Sequence, residues 1–391
     1  MTPLNGYSRQ MSAPRKRIRL VWAFVALVAL VAFALVVGFR VSHKGPVRPA
    51  PPAVTPAPPR LPAPGPRTAW LGLDYNSDAK AGSLTDFAVR GIVYDREGTV
   101  GADAGDTLEN HPDLASGLAT AYRAHMIPDI EVEPVDGPPG CTSNPSPANL
   151  CLPTGRAQVS SYVQGFLQTA SSVVHRYPHK RVLFEPTNEP WTWAFPPGTA
   201  PGKAAATEYA LILAQLLPAA RAAKVPLNDI YVPATGTLSD GSSWIRDLYE
   251  AQPCLKPGPS SCGPIAGWNL HPYGLPHSLT EGIDSVPAVR AQMLSGQDNV
   301  VIGEIGFCAN DVDEGNGCQL NLPDLVGSST QAAAWLRETL NEAAPMHQAG
   351  WLKALLVWER LGTGWAMQNA DGTLTAQGRV LDLFADSAKG R

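Results

Sequence analysis

Beyond residue 67 the chain alternates between two hydrophobic periods. Eight short runs carry apolar, β-branched or aromatic residues at strand-like spacing: Trp70–Tyr75, Gly91–Asp95, Ile127–Glu133, Val182–Thr187, Asp229–Ala234, Gly267–His271, Val300–Glu304 and Ala354–Trp358. Helical spacing falls between them, most clearly over Ala157–Tyr177 and Ala204–Ala223. Ser329-Thr330-Gln331 supplies a capping hydroxyl for a further helix over Ala332–Glu342, and Gly350 follows as a stop signal. Strands alternating with helices predict a parallel sheet, and a count of eight predicts an α/β fold closed into a (β/α)8 TIM barrel. The alternative, an open doubly wound sheet, calls for a Gly-rich phosphate loop after the first strand. That position reads Asp74-Tyr75-Asn76-Ser77-Asp78, acidic and without glycine.

Side chains alternate across a strand, so parity assigns faces. In the third run Ile130 and Val132 oppose Asp129, Glu131 and Glu133. In the sixth, Trp268 and Leu270 oppose Asn269, His271 and Tyr273; in the seventh, Val301 and Gly303 oppose Ile302 and Glu304. The apolar sets are expected against the helices and the polar sets along the barrel axis. The polar sets thicken toward the C-terminal strand ends, where barrel enzymes hold their active sites.

The first 67 residues are of another kind. Residues 1–19 are basic, and Leu20–Phe39 is an uninterrupted apolar run long enough to cross a bilayer as a helix. Arg15, Lys16, Arg17 and Arg19 precede the run and outweigh Arg40 and Lys44, which predicts a cytoplasmic N-terminus and an external C-terminal domain. A transmembrane signal anchor is expected at 20–39; a cleaved signal, giving a secreted protein, is the alternative. Residues 40–67 form a linker in which Gly45–Arg67 holds ten prolines. Such a segment is a semi-rigid polyproline spacer reaching about 70 Å. Residues 68–391 then make one catalytic-sized barrel domain.

Charge separates the two parts further. The first 67 residues hold ten Lys or Arg and no acid, so the rest carries 20 of the 30 basic residues and all 34 acidic ones, a formal −14. That balance argues against nucleic acid or another polyanion as a partner, and a monomer is expected. The six cysteines fall as Cys141/Cys151, Cys254/Cys262 and Cys308/Cys318, each pair bracketing a turn-rich stretch. Six cysteines allow 15 pairings; three close pairs in an exported domain point to three local disulfides. No Cys-x-x-Cys and no histidine at ligand spacing accompany them, so no structural metal is expected.

Two strings carry the candidate chemistry: Phe184-Glu185-Pro186-Thr187-Asn188-Glu189-Pro190-Trp191 and Val300-Val301-Ile302-Gly303-Glu304-Ile305-Gly306-Phe307. Each delivers a glutamate at the end of a strand-like run. Two carboxylates on separate strand ends are what cleavage of a glycosidic bond needs, one as proton donor and one as nucleophile. Asn188-Glu189-Pro190 at the fourth strand, His271-Pro272-Tyr273 at the sixth, Gly303-Glu304-Ile305-Gly306 at the seventh and Trp358 at the eighth resemble the retaining glycoside hydrolases of clan A. The cellulase-like family five and the family containing β-xylosidases are nearest, and the resemblance runs from Trp70 to about Phe384.

The resemblance implies a general acid/base at Glu189 and a nucleophile at Glu304. It implies no cofactor and no metal, and a carbohydrate substrate. The donor has to keep its proton and the nucleophile has to lose its own, so donors are expected around Glu304. Tyr273 and His271 are candidates, with His271 also able to tune Glu189. Asn188 is a candidate for the sugar 2-hydroxyl; Trp358, Trp191 and Trp193 are candidate sugar platforms. Glu185 is expected to support the barrel interior, and Glu131 and Glu133 either contact substrate or form structural ion pairs. Family-five enzymes often carry an arginine near the second strand, for which Arg96 is the candidate, and a histidine ending the third. Here the third strand ends Glu131-Val132-Glu133-Pro134. A transglycosidase on the same residues, a non-catalytic sugar-binding barrel and a structural anchor protein are the rival readings.

Overall fold

The computed structural model describes residues 70–74, 92–102, 104–134, 152–192, 202–236, 243–263, 265–311, 325–358, 364–369 and 371–388. The basic tail, the expected anchor at 20–39 and the linker all lie outside these residues. Among the described residues no helix is long and apolar enough to cross a membrane.

All eight expected strands are present: β1 Leu71–Asp74, β2 Tyr94–Ala102, β3 Ile127–Pro134, β4 Leu183–Pro186, β5 Tyr231–Thr235, β6 Gly267–His271, β7 Val300–Ile305 and β8 Leu352–Trp358. They form one parallel sheet in the order β4-β3-β2-β1-β8-β7-β6-β5. A single parallel bridge, Phe184 to Ile230, joins the two edge strands, so the sheet is a nearly closed barrel. Two residues, Cys308–Ala309, pair in parallel with Val326–Gly327 outside it. The outer helices are α1 Pro112–Arg123, α2 Gly155–Arg176, α3 Lys203–Ala222, α4 Trp244–Ala251, α5 Val286–Arg290, α6 Ser329–Gln348 and α7 Ala376–Ala388. Parallel strands need such crossovers, and the helices bury the outward strand faces.

Helix α6 starts earlier and ends later than its sequence cue. Ser328 is the cap: its hydroxyl accepts from the Gln331 N–H at 3.3 Å, and Gln331 Oε1 accepts from the Ser328 N–H at 2.8 Å. That reciprocal pair satisfies two amides that a helix start leaves open. The helix then runs past Glu342 through Pro345 to Gln348.

Burial divides the strands into two shells. Leu71, Leu73, Ile130, Val132, Phe184, Val232, Trp268, Leu270, Ile302, Leu355 and Val357 belong to the large core between sheet and helices. Tyr94, Leu183, Tyr231, Val301, Ala354 and Leu356 form a second, separate cluster, an apolar plug inside the barrel. Above the plug the interior turns polar. Asp74, Arg96, Asp129, Glu131, Glu185, Asn269 and His271 are all buried.

Strand β7 corrects the parity argument. Val301 lies in the inner plug and Ile302 in the outer core, so unbroken alternation would send Glu304 outward. The pairing of β8 with β7 slips instead: Leu355 pairs with Ile302 but Val357 with Ile305. The extra residue is a β-bulge, which re-aims a side chain at a strand end. Gly303 and Glu304 thus both face the interior. Glycine is required at 303, since a Cβ there would lie 2.2 Å from Asn269 Oδ1.

Of the expected disulfides, Cys308 is disulfide-bonded. Cys254 and Cys262 are a correction: both are free thiols. Backbone pairing, with the Cys262 N–H donating to the Cys254 carbonyl at 2.8 Å, closes this turn without a covalent bridge. Cys141, Cys151 and Cys318 lie outside the described residues.

Candidate active site

Arg96 rises from β2 into the polar interior and is 2% exposed. Its Nη1 donates to Asp74 Oδ2 at 3.0 Å and to Glu304 Oε2 at 2.9 Å. Its Nη2 reaches Glu185 Oε2 at 3.0 Å, Glu131 Oε1 at 3.1 Å and Asn188 Oδ1 at 3.4 Å. One guanidinium therefore serves acids from β1, β3, β4 and β7. Only its planar fork of five donors can do so. Glu185 also accepts from Asn269 Nδ2 at 2.7 Å, and with Glu131 it makes the buried ionic floor of the site.

Above that floor the two candidate glutamates meet. Strand β4 stops at Pro186, and Tyr209 from α3 donates its hydroxyl to the Pro186 carbonyl. Thr187 still pairs with β3 through its N–H and Val132 O at 3.0 Å, yet adopts φ 74°; Glu189 adopts φ 43°. A β-branched residue at positive φ is a true outlier, and such strain persists only where its surroundings impose it. Here the two left-handed residues turn Glu189 over the strand ends. Its Oε1 lies 3.0 Å from His271 Nδ1, and that nitrogen lies 3.4 Å from Glu304 Oε2. One oxygen of Glu189 and one of Glu304 are within 4.8 Å of each other.

Glu304 is held on both oxygens. Arg96 donates to Oε2, and the Tyr273 hydroxyl donates to Oε1. Burial pushes the Glu304 carboxyl up, but His271, Arg96 and Tyr273 together hold it below its ordinary value. Asp74, Asp129, Glu133 and Glu185 go the opposite way. Burial raises Asp74 to about 7, Asp129 to about 6 and Glu133 to about 8, against the pull of Arg96. Burial raises Glu185 as well. For His271, burial opposes the charged form, but the charge of Glu304 and the hydrogen bond to Glu189 win and lift it to about 9. Burial keeps the Tyr273 phenol far above its ordinary value, so it remains a donor. Environments that push titratable groups apart in this way separate an ionised carboxylate from protonated neighbours.

The aromatic candidates divide. Trp358, on β8, packs edge-on to Tyr273 with centroids 6.4 Å apart and lies 4.6 Å from Trp365. Trp191 stands edge-on to His271 at 5.8 Å, backed by Trp244 at 6.4 Å. Trp193 lies outside the described residues. Asn188 turns its Oδ1 to Arg96, which leaves its NH2 as the group on offer to a ligand. Strand alternation places Asn269 inward, as found, but sequence reasoning missed Asp74 and Trp365. That tryptophan is 1% exposed and leaves no room for a Cβ at Gly306. Asp74 was legible only as an acid at a strand end, a signal shared with many surface residues.

No protein-family model and no curated protein sequence matches the chain. Solved structures match it across most of its length. A fungal β-1,4-galactanase superposes with a TM-score of 0.54 at 11% identity, covering 81% of this chain and 98% of that one. An endo-β-1,4-glucanase from Xanthomonas axonopodis pv. citri gives 0.52 at 13%, covering 81% and 99%. A family 5 xyloglucanase from Bacteroides ovatus, in complex with a heptasaccharide, gives 0.53 at 11%, covering 82% and 75%. The barrel of this chain thus shares its fold with these glycoside hydrolases.

Proposed function

We propose that the domain is a retaining β-glycosidase acting on an extracellular poly- or oligosaccharide, with Glu304 as nucleophile and Glu189 as acid/base. The observation that carries this reading is the treatment of Glu304. Its carboxyl is held below its ordinary value while burial raises Asp74, Asp129, Glu133 and Glu185 around it, and a second carboxylate, Glu189, stands within 4.8 Å of it. Retaining enzymes place the pair about 5–5.5 Å apart, whereas inverting enzymes leave about 6.5–9.5 Å for a water. Glu304 would attack the anomeric carbon while Glu189 passes a proton to the leaving oxygen. Forming the glycosyl ester removes the Glu304 charge that favours a proton on His271. Glu189 is then free to take a proton from the incoming water, whose oxygen displaces Glu304 and keeps the original anomeric configuration.

The neighbours named above include galactanase, glucanase and xyloglucanase activities, which supports a β-linked polymer and internal cleavage. Leu20–Phe39 would anchor the chain and the proline-rich segment would hold the barrel clear of the membrane, a reading that rests on the sequence pattern.

The test is reducing-sugar release by the full-length chain over a panel of β-linked polysaccharides, beside Glu304→Gln. Release that vanishes in the variant, with products of retained configuration by NMR, supports the proposal. Release undiminished in Glu304→Gln, or inverted products, sinks it. Binding without release by the folded wild type favours the sugar-binding barrel, and transfer products without free sugar favour the transglycosidase.

A further inference from the structure

Behind the site, the chain after Tyr273 forms a pinched lobe. Gly274 and Gly282 make its neck: a Cβ on Gly274 would lie 2.4 Å from the Gly282 nitrogen, and one on Gly282 would lie 2.6 Å from the Leu275 carbonyl. Helix α6 holds the neck, since Trp335 Nε1 donates to the Gly274 carbonyl at 3.1 Å. His277 stands in the lobe, 64% exposed. Its Nδ1 is 3.3 Å from Asp284 Oδ2, and its Nε2 is 4.0 Å from Glu338 Oε2 on α6. Glu342, one turn further along α6, converges on the same point: ligand atoms of His277, Asp284 and Glu342 lie within 4.8 Å of one another.

Three carboxylates thus surround one imidazole. Among the described residues no lysine or arginine pairs with Asp284, Glu338 or Glu342. Glu338 and Glu342 are like charges at i and i+4, an arrangement that costs helix stability unless a cation offsets it. We infer that His277, Asp284 and Glu342, with Glu338 beside them, form a divalent-cation site of zinc type that clasps the lobe to α6. One nitrogen and two carboxylate oxygens suit zinc, with its bonds of about 2.0–2.2 Å and tetrahedral preference. Two ligands on such an ion stand about 3.4 Å apart, close to the 3.3 Å between His277 and Asp284. The third ligand is the half-buried Glu342, which closes the remaining distance by rotamer change, while Glu338, facing the other ring nitrogen, adds negative charge rather than a bond. The ion would join two segments distant in sequence at a lobe whose neck begins one residue after Tyr273. Its effect on the barrel mouth would therefore be to hold Tyr273 in place.

The experiment is calorimetric titration of the full-length chain with Zn2+ alone, compared with His277→Ala/Asp284→Asn, Glu342→Gln and Glu304→Gln. The result expected is saturable binding near one ion per chain and a zinc-dependent rise in Tm. Both should be lost in the double variant, weakened in Glu342→Gln and retained in Glu304→Gln. The double variant without zinc should unfold close to the wild-type temperature, since His277 is 64% exposed and its ion pair with Asp284 lies near the surface, where such pairs add little. Absence of saturable binding, or binding that survives the double variant, overturns the inference. Loss in Glu304→Gln alone also overturns it, by placing the ion among Glu189, His271 and Glu304.

Discussion

Replacing Arg96 by Met tests the electrostatic account of the barrel interior directly. The substitution keeps length and apolar stem but removes the guanidinium that meets Asp74, Glu131, Glu185 and Glu304 at 2.9–3.1 Å. Arg96 is buried, as are three of these four acids. Breaking a buried ion pair by deleting one partner costs about 3–5 kcal/mol, because the remaining charge is left without compensation. Several acids share this cation, so a loss of about 3–5 kcal/mol at pH 8 is a lower expectation, out of a typical domain stability of about 5–15 kcal/mol.

The penalty also has a sign with pH. Asp74 already sits at about 7 in the presence of Arg96, and without that charge its folded pKa and that of Glu185 rise further. A carboxyl whose folded pKa exceeds its unfolded value adds stability below that pKa and loses it as pH rises through it. The variant should therefore lose more at pH 8 than at pH 5. Urea unfolding followed by tryptophan fluorescence at both pH values measures this through linear extrapolation. Arg96→Lys should recover only part of the loss, since an ammonium lacks the fork. A loss below about 1 kcal/mol at pH 8, or one of equal size at both pH values, would refute the reasoning.

Tyr273→Phe removes one charge-assisted donor from Glu304, worth about 1.5–3 kcal/mol, and should lower kcat/KM by roughly 10- to 150-fold with little change in Tm. Steady-state kinetics on whichever polymer the panel selects checks this; unchanged kcat/KM means the tyrosine does not hold the nucleophile. Gly303→Ala places a methyl group where Asn269 lies, and should destabilise the fold by about 1–3 kcal/mol in thermal unfolding. A wild-type Tm would mean the bulge is not tight. In the wild-type protein Asp74, Asp129 and Glu133 have raised pKa values, and so does His271, at about 9. All four bind protons more tightly folded than unfolded, so they favour folding on the acid side. Stability should fall from about pH 4, where these carboxyls ionise in the unfolded chain, to about pH 9, where folded His271 gives up its proton. Glu304, held low, works the other way and sets the acid limit. Urea midpoints that rise over that window would contradict the assignment.

The strands and their order were legible because a period of two is a local property, readable within six residues. His271, Tyr273 and Trp358 were legible as polar or aromatic residues closing such runs. The faces of Val301 and Ile302 were not: alternation counted back from an inward Glu304 puts both on the wrong side, because a bulge that only pairing with β8 reveals lies between. Nor was the end of α6, where packing carries the helix through Pro345. The free thiols of Cys254 and Cys262 likewise escape spacing arguments, which see proximity in sequence but not the backbone pairing that closes the turn.

Taken alone, the amino-acid sequence determined the alternating elements, their number, and the two glutamates at the ends of the fourth and seventh strands. Each of these is written in a few consecutive residues. Tertiary structure decided which acid keeps its charge. Arg96 lies 208 positions from Glu304 and 89 from Glu185, and only a barrel brings them to about 3 Å. Burial then penalises every charge in the interior; Arg96 stands equally close to Asp74, Glu185 and Glu304, and the imidazole of His271 and the hydroxyl of Tyr273 added at Glu304 spare that carboxylate. Those distances exist only once the sheet has curved round to join β4 with β5.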